Sequence, residues 1–199
     1  MWTDLAASAA QHLGLAGSAL ALALLAGLPL GVLATSGSRA RAAVLAVAGI
    51  GRTLPSIAVL MLLLPLLGVG PIPAIAALAL LAIPPIAINV DLAIRGVPAA
   101  ALDAADGMGM TANQRFARVV VPLALPVSFA GVRTAATETI ASATLATFIG
   151  AGGLGDEIVR GLQTNDPTIL FAGAITVALL ALCTELILSG AGRLLEARS

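Results

Sequence analysis

The chain has 199 residues, of which 59% are hydrophobic and 10% are charged, whereas about a quarter of the residues of a soluble domain are charged. The net charge is zero and no basic cluster of the kind that contacts phosphates occurs, which argues against nucleic acid as a partner. Cys183 and His12 are the only cysteine and histidine, which argues against an internal disulfide and a Cys/His metal site. This composition predicts one all-α membrane domain over residues 1–199.

Five apolar stretches are long enough to cross a bilayer, which takes about 20 helical residues. We predict membrane spans over residues 14–35, 43–68, 71–94, 123–149 and 167–190. The start, Met1-Trp2-Thr3-Asp4, lacks the basic region of a cleaved signal peptide, so the first stretch is expected to stay in the membrane.

Arginines indicate how the spans are oriented. They concentrate after the first span, between the third and fourth spans, and after the fifth span, at Arg39, Arg41, Arg95, Arg115, Arg118 and Arg193. Because loops rich in Lys and Arg stay in the cytoplasm, the pattern predicts an N-terminus outside the cell and a cytoplasmic C-terminus. His12 is then expected at the outer membrane interface.

The first span contains a pair of small residues, Gly27 and Gly31. This spacing lets two helices pack closely in a membrane. In a chain so rich in Ala and Gly, the pair is either a dimer contact or a consequence of composition.

The longest polar segment on the predicted cytoplasmic side runs from about residue 95 to residue 122, and we call it the coupling segment. Short helices are expected over residues 99–105 and 111–120, separated by Gly107 and Gly109, with Thr111 as N-cap of the second. The result is a helix-turn-helix that stands out from the membrane.

The coupling segment carries a spaced motif, consisting of Asp103-Ala104-Ala105, Gly109, Val119, Val121 and Pro122. It resembles the EAA loop of permease subunits in binding-protein-dependent ATP-binding-cassette importers, in which Glu is usual at the first position and Ile and Leu precede the proline. We expect the two alanines to share one helix face and admit a partner, and Gly109 to allow a sharp turn. Pro122 is expected where the next span begins. The alternative is an ordinary amphipathic connector.

Other segments resemble the glycine betaine, carnitine and choline permeases of this family. They are 106–111, 123–126, 131–135, 149–155 and 52–56, the last with Arg52 in place of the Gln of that branch. Methionine-type permeases share the glycine-rich segment. The resemblance implies the methionine-permease-like transmembrane domain of a type I importer, in a bacterial inner membrane.

The resemblance also implies a division of labour among subunits. The chain has no GxxxxGK[ST] sequence, so it is expected to be non-catalytic and to bind no cofactor, with ATP and Mg²⁺ held by a partner ATPase. The further expected partners are an extracytoplasmic solute-binding protein and a second permease copy or paralogue. The alternatives are the same machine carrying methionine or another amino acid, and a secondary transporter that needs no ATPase.

The solute implied by the resemblance is a quaternary amine. Such groups are usually held by aromatic cages, and this chain has one Trp, four Phe and no Tyr. High-affinity capture is therefore expected in the binding protein. Gly150, Gly152 and Gly155 fit GxGxxG, but a span precedes them instead of a strand, which favours a tight turn at the outer mouth of the pore over a dinucleotide site.

Polar residues at membrane depth are costly and often functional. A solute path is expected at Glu138 with Thr134, Thr137, Ser142 and Asn89. For Glu138 the alternative is a purely structural ion pair. Arg133, Asp91 and Glu185 are expected to be structural, with Arg133 paired to one of the two carboxylates.

Overall fold

The computed structural model describes residues 2–196, with side chains placed for residues 4–195. This part of the chain is almost entirely helical and contains no strand. Its α-helices are α1 (Trp2–Ala34), α2 (Ser38–Thr53), α3 (Ser56–Leu67), α4 (Pro71–Arg95), α5 (Ala99–Gly107), α6 (Ala112–Arg115), α7 (Val121–Ala143), α8 (Leu154–Gln163) and α9 (Pro167–Glu196). A π-helical turn, Phe116–Val120, precedes α7 and a 3₁₀ segment, Thr144–Ile149, follows it.

The bundle has two ends, which we name by their composition. At the glycine end, Gln11 of α1 donates to the Ala151 carbonyl and Gly70 donates to the Ile149 carbonyl. At the arginine end, Arg95 of α4 donates to the Ala34 carbonyl of α1. The chain passes between these ends five times, and within the described residues it starts at the glycine end and finishes at the arginine end.

Four of the five passes are long apolar helices, over residues 4–34, 71–95, 112–149 and 167–195. The remaining pass differs from the prediction of one continuous span over residues 43–68, since α2 and α3 meet at an angle of 100°. Leu54 and Pro55 between them are extended, with ψ of 129° and 130°. A residue that precedes proline is driven out of the helical region by the proline ring, so Pro55 breaks this pass.

Helix α4 lies at the centre of the bundle and packs on both α1 and α7. The α1 contact depends on Gly27 and Gly31, since a Cβ at Gly31 would lie 2.5 Å from the Val90 Cβ. The Gly27/Gly31 pair therefore serves packing within one chain, and the dimer interpretation is wrong.

The second predicted short helix, residues 111–120, is not a separate element. Helix α6, the π-helical turn, α7 and the 3₁₀ segment form one continuous helical rod over residues 112–149. Pro122 has no N–H and its ring would crowd the carbonyl four residues earlier, and the wider π-helical turn lies directly before it. The coupling segment thus runs without a break into the following span.

Helix α8 was not predicted from the sequence. It is an amphipathic helix of 10 residues between the fourth and fifth passes, and its Gly161 packs directly against Leu170 of α9. At 10 residues it is too short to be a span, but Leu154, Ile158 and Leu162 recur at helical spacing, and this signal could have identified it.

Candidate functional site

Helix α5 lies at the arginine end of the bundle, and its C-terminus is capped by a motif that requires glycine. Gly109 has φ of +73°, in the left-handed region that side chains rarely adopt. Its N–H donates to the Asp106 carbonyl, and the Met110 N–H donates to the Ala105 carbonyl. These two bonds define a Schellman motif, so the sharp turn expected at Gly109 is present.

The acidic residue and the two alanines of the motif lie on α5 but do not form one surface. Asp103 and Ala104 are exposed, whereas Ala105 is fully buried. Consecutive residues of a helix are about 100° apart, so the expectation that both alanines share one face is wrong. Ala104 is available to a partner, and Ala105 packs inward.

Two contacts fix α5 to the helical rod. A buried cluster joins Ala93 and Val97 to Val120 and Ala124, with Leu102 of α5 packed against it. Arg115 donates to Asp106 at 2.8 Å, and Thr111 caps α6 in a capping box with Gln114. Helix α5 is therefore packed against the start of the rod and ion-paired to it.

The remaining motif residues lie where the rod begins its apolar part. Val119 is half-buried in the π-helical turn, Val121 is exposed at the start of α7, and Pro122 follows in its first turn. The helical rod continues through Pro122 without a break, so the structure marks no boundary of the span at this residue.

A cleft of about 320 Å³ opens on one side of the bundle where α2 breaks. It is lined by Arg52, Leu54 and Ser56 from the break, by Leu78, Leu81 and Ala82 of α4, and by Glu138, Thr139, Ala141 and Ser142 of α7. Leu81 follows the first residue of α4 by ten positions, about 15 Å along the helix axis, or half the bilayer's hydrocarbon thickness. The cleft thus lies about midway between the ends.

Of the five residues expected along a solute path, the structure brings Glu138 and Ser142 together in this cleft. Thr134 and Thr137 lie nearer the arginine end and donate to carbonyls of their own helix. Asn89 donates to the Pro85 carbonyl and packs against Gly131, where α4 meets α7.

The three remaining charges form ion pairs. Arg133 of α7 pairs with Glu185 of α9 at 3.2 Å, which selects Glu185 over Asp91. Asp91 is 2% exposed and accepts hydrogen bonds from Arg41 at 3.0 Å and Arg95 at 2.8 Å. This second cluster joins α2 to α4 at the arginine end.

The glycine-rich segment forms a close-packed turn at the glycine end. Gly150, Gly152 and Gly153 have positive φ, and a Cβ at Gly155 would overlap the Thr144 carbonyl. The Gln11 amide donates to the Ala151 carbonyl and accepts from the Gly153 N–H. The expected tight turn is thus present.

The expectation that His12 lies at a membrane interface is wrong. The His12 ring is fully buried, and its Nε2 lies 2.9 Å from the Ile140 carbonyl of α7. Packing against the glycine-rich turn and α7 places the ring inside the bundle, and no periodic signal in the sequence announces this contact.

The sequence did not predict the roles of two residues at these sites. Arg52 lines the cleft, and Gln11 holds the glycine-rich turn by hydrogen bonds. In the sequence, Arg52 stands out only as a departure from the family pattern, and the structure places it in the cleft with Glu138 of α7. No signal in the sequence pairs Gln11 with a segment 140 residues away. Within the described residues, no group of three His, Cys, Asp or Glu side chains is placed to hold a metal ion.

Residues 27–198 match the protein family described as binding-protein-dependent transport system inner membrane component. The chain is 40% identical over 183 residues to a choline transport system permease protein of Bacillus subtilis, a match that covers 92% of this chain and 84% of the relative. It is 42% identical over 175 residues to a carnitine transport permease protein of Listeria monocytogenes, covering 88% and 80% respectively.

Solved structures support the fold. The inward-facing MetNI methionine ABC transporter superposes with a TM-score of 0.84 at 22% identity, covering 93% of both chains. An amino acid ABC transporter with histidines superposes with a TM-score of 0.78 at 20% identity, covering 100% of this chain and 95% of that one. The fold is that of a type I importer transmembrane domain, as the resemblance implied.

Proposed function

The chain belongs to the binding-protein-dependent transport system inner membrane components, and from this premise we propose that it is the pore-forming subunit of an ATP-driven importer of quaternary-amine osmoprotectants. The observation that carries the proposal is the continuous connection from the exposed Ala104 face of α5, through the cluster at Val120, into the rod that bears Glu138. A protein that docks at α5 can thus move a residue of the cleft without any contact with the cleft itself.

The proposed assembly contains two copies of this chain, or this chain and a paralogue, over two ATPase subunits that supply ATP and Mg²⁺. The arginine end faces the cytoplasm and carries the C-terminus, with the N-terminus outside. The positions of Arg41, Arg95 and Arg115 at one end support this orientation, because positive charge is retained on the cytoplasmic side.

We assign the motif residues to the ATPase contact. Asp103 and Ala104 form its exposed surface, Ala105 and Gly109 hold the shape of the helix and its turn, and Val119, Val121 and Pro122 begin the rod. Closure of the ATPases shifts α5 and switches the cleft between inward and outward access, which is alternating access driven by a bistable element. An extracytoplasmic binding protein delivers solute at the glycine end.

The solute class is proposed from the relatives, whose names specify choline, carnitine and glycine betaine. The lack of an aromatic cage among the residues that line the cleft supports weak, exchangeable contacts in the pore, with high-affinity capture by the binding protein. Methionine or another amino acid is the second candidate, since the solved structures of this fold carry those names.

The test is uptake into proteoliposomes that contain the permease, its ATPase and its binding protein. We expect ATP-dependent uptake of labelled glycine betaine, choline or carnitine that excess methionine does not inhibit. Inhibition by methionine without inhibition by quaternary amines would assign the machine to amino acids.

A second preparation contains the permease alone under an imposed ion gradient. We expect no uptake above that of empty liposomes, because the proposed transport depends on ATP hydrolysis by the partner ATPase. Uptake by the permease alone would make it a secondary transporter and would remove the coupling role of α5.

A further inference from the structure

The cleft carries two opposite charges without partners. Among the described residues, no hydrogen bond or ion pair involves the Arg52 guanidinium or the Glu138 carboxylate, although both line the same 320 Å³ space. Every other charge named at membrane depth is paired. Both residues are exposed in the single chain, at a cleft about midway along the bundle. An unpaired charge at that depth of a membrane is costly, so each of the two charges requires a partner outside this chain.

We propose that the cleft is a binding site for a zwitterion, with Arg52 facing a carboxylate and Glu138 facing a quaternary ammonium. The proposal rests on the proposed function and narrows its solute class. A guanidinium presents paired N–H donors that match a carboxylate, whereas a quaternary ammonium offers no N–H and is attracted by charge alone, which a carboxylate supplies.

The charge balance of the cleft decides which quaternary amines fit. The empty cleft is neutral overall, and a zwitterion leaves it neutral while giving each protein charge an opposite partner. Choline satisfies Glu138 but leaves Arg52 facing a cation, with no carboxylate to accept its hydrogen bonds. A ligand that leaves a charge of the site unpaired binds more weakly than one that pairs both charges. The cleft therefore favours glycine betaine or carnitine over choline.

Uncharged groups of the cleft can also contact such a ligand. The Ser56 hydroxyl, four residues after Arg52, forms no hydrogen bond within the described part of the chain and is available to a carboxylate, whereas Ser142 lies one turn from Glu138 on α7. The Thr139 hydroxyl is already committed to the Ala135 carbonyl. Leu78, Leu81 and Ala82 provide an apolar wall against which methyl groups can pack.

The single native cysteine allows a direct test in the complex of permease and ATPase. Cys183 is exposed and is replaced by serine, and Ser142→Cys places one thiol in the cleft. The rate of maleimide labelling is then measured against increasing glycine betaine or choline. We expect glycine betaine to slow labelling at a concentration about tenfold lower than choline needs.

Arg52→Gln in the same background is the decisive variant. It should abolish protection by glycine betaine while improving protection by choline, because Glu138 remains and the repulsive charge is gone. A misfolded protein would lose both. Arg39→Gln, which removes an exposed arginine from the same helix, is the matched control and should leave both protections unchanged.

Equal protection by the two probes, protection by neither, or protection unaffected by Arg52→Gln would overturn the proposal. A second result would also overturn the proposal. If Arg52→Gln and Glu138→Gln each abolish the two-copy assembly, and neither probe protects selectively, the two charges form an ion pair between copies instead of a solute site. Failure of the proposed function is a separate result, since it is read from ATP-dependent uptake by the unmodified complex.

Discussion

At the scale of single residues, the charges of this chain serve two purposes. Asp91 is buried and holds two arginines from different helices, and Arg133 pairs with Glu185 across α7 and α9. The first contact joins α2 to α4 at the arginine end, and the second joins α7 to α9 within the bundle. Among the described residues, Glu138 and Arg52 have no such partner, and both line the cleft. A charged residue with an ion-pair partner is thus assigned a structural role, and one without a partner is a candidate binding residue, whatever its depth in the bundle.

Asp91→Asn tests the structural assignment. It leaves Arg41 and Arg95 facing each other around a neutral group, and we expect the free energy of unfolding in detergent to fall by about 2 kcal/mol, less than for a fully buried pair because both arginines are partly exposed. The matched control is Asp106→Asn, whose pair with Arg115 is exposed and should contribute little. Equal thermal stability of both variants would argue against a structural role for Asp91.

At the scale of elements, small residues decide how close the helices come. Gly31 lets α1 approach α4 until no side chain fits between them, and Gly155 does the same for α8 against the 3₁₀ segment. Not all glycines act this way. Gly17, on the same helix as Gly31, has nothing within 4 Å of a Cβ position.

Gly31→Ala and Gly17→Ala should therefore have opposite effects. The first forces a methyl group into Val90 and should destabilise the protein by roughly 1–3 kcal/mol. The second adds only helix propensity and should be neutral or stabilising by up to about 1 kcal/mol. Thermal unfolding of the two variants side by side measures this, and a Gly31→Ala protein as stable as Gly17→Ala would show that α1 is not packed as described.

The two alanines of α5 allow function to be separated from folding. Ala104→Gln changes an exposed surface, so we expect normal thermal stability but a several-fold lower solute-stimulated ATPase activity and uptake. Ala105→Gln buries an amide in a site with no space and should lower stability by about 2 kcal/mol or more. If Ala104→Gln transports normally, the partner does not dock on that face.

At the scale of the whole molecule, the rod over residues 112–149 connects the arginine end to the glycine end. At 38 residues it is about 57 Å long, which exceeds the ~30 Å hydrocarbon core of a bilayer, and α5 packs against its first turns. The cleft lies about midway along the bundle, beside the break in the α2–α3 pass. A movement applied at α5 and a solute bound near Glu138 thus act on the same element.

The sequence predicts much of this arrangement because its signals are strong and local. Apolar runs define four passes, and the spacing from Asp103 to Pro122 identifies the coupling segment with its turn at Gly109. The bend at Pro55 and the continuity through Pro122 could not be predicted, because proline alone does not decide whether a helix breaks: Pro29 and Pro126 also lie inside unbroken helices. The burial of His12 depends on a contact with Ile140, in a distant segment of the chain. The cleft also depends on distant segments, because Arg52 and Glu138 both line it although they are 86 positions apart in the chain.

If an ATPase acting at α5 controls access to the cleft, residue 142 should change its accessibility with the nucleotide state. This is measured by labelling the Ser142→Cys protein, with Cys183→Ser, from each side of the membrane. In proteoliposomes, an impermeant maleimide should label residue 142 mainly from the ATPase side without nucleotide. It should label mainly from the opposite side when a non-hydrolysable ATP analogue closes the ATPases, and Ala104→Gln should prevent the change. Accessibility that is identical in both nucleotide states would contradict the account.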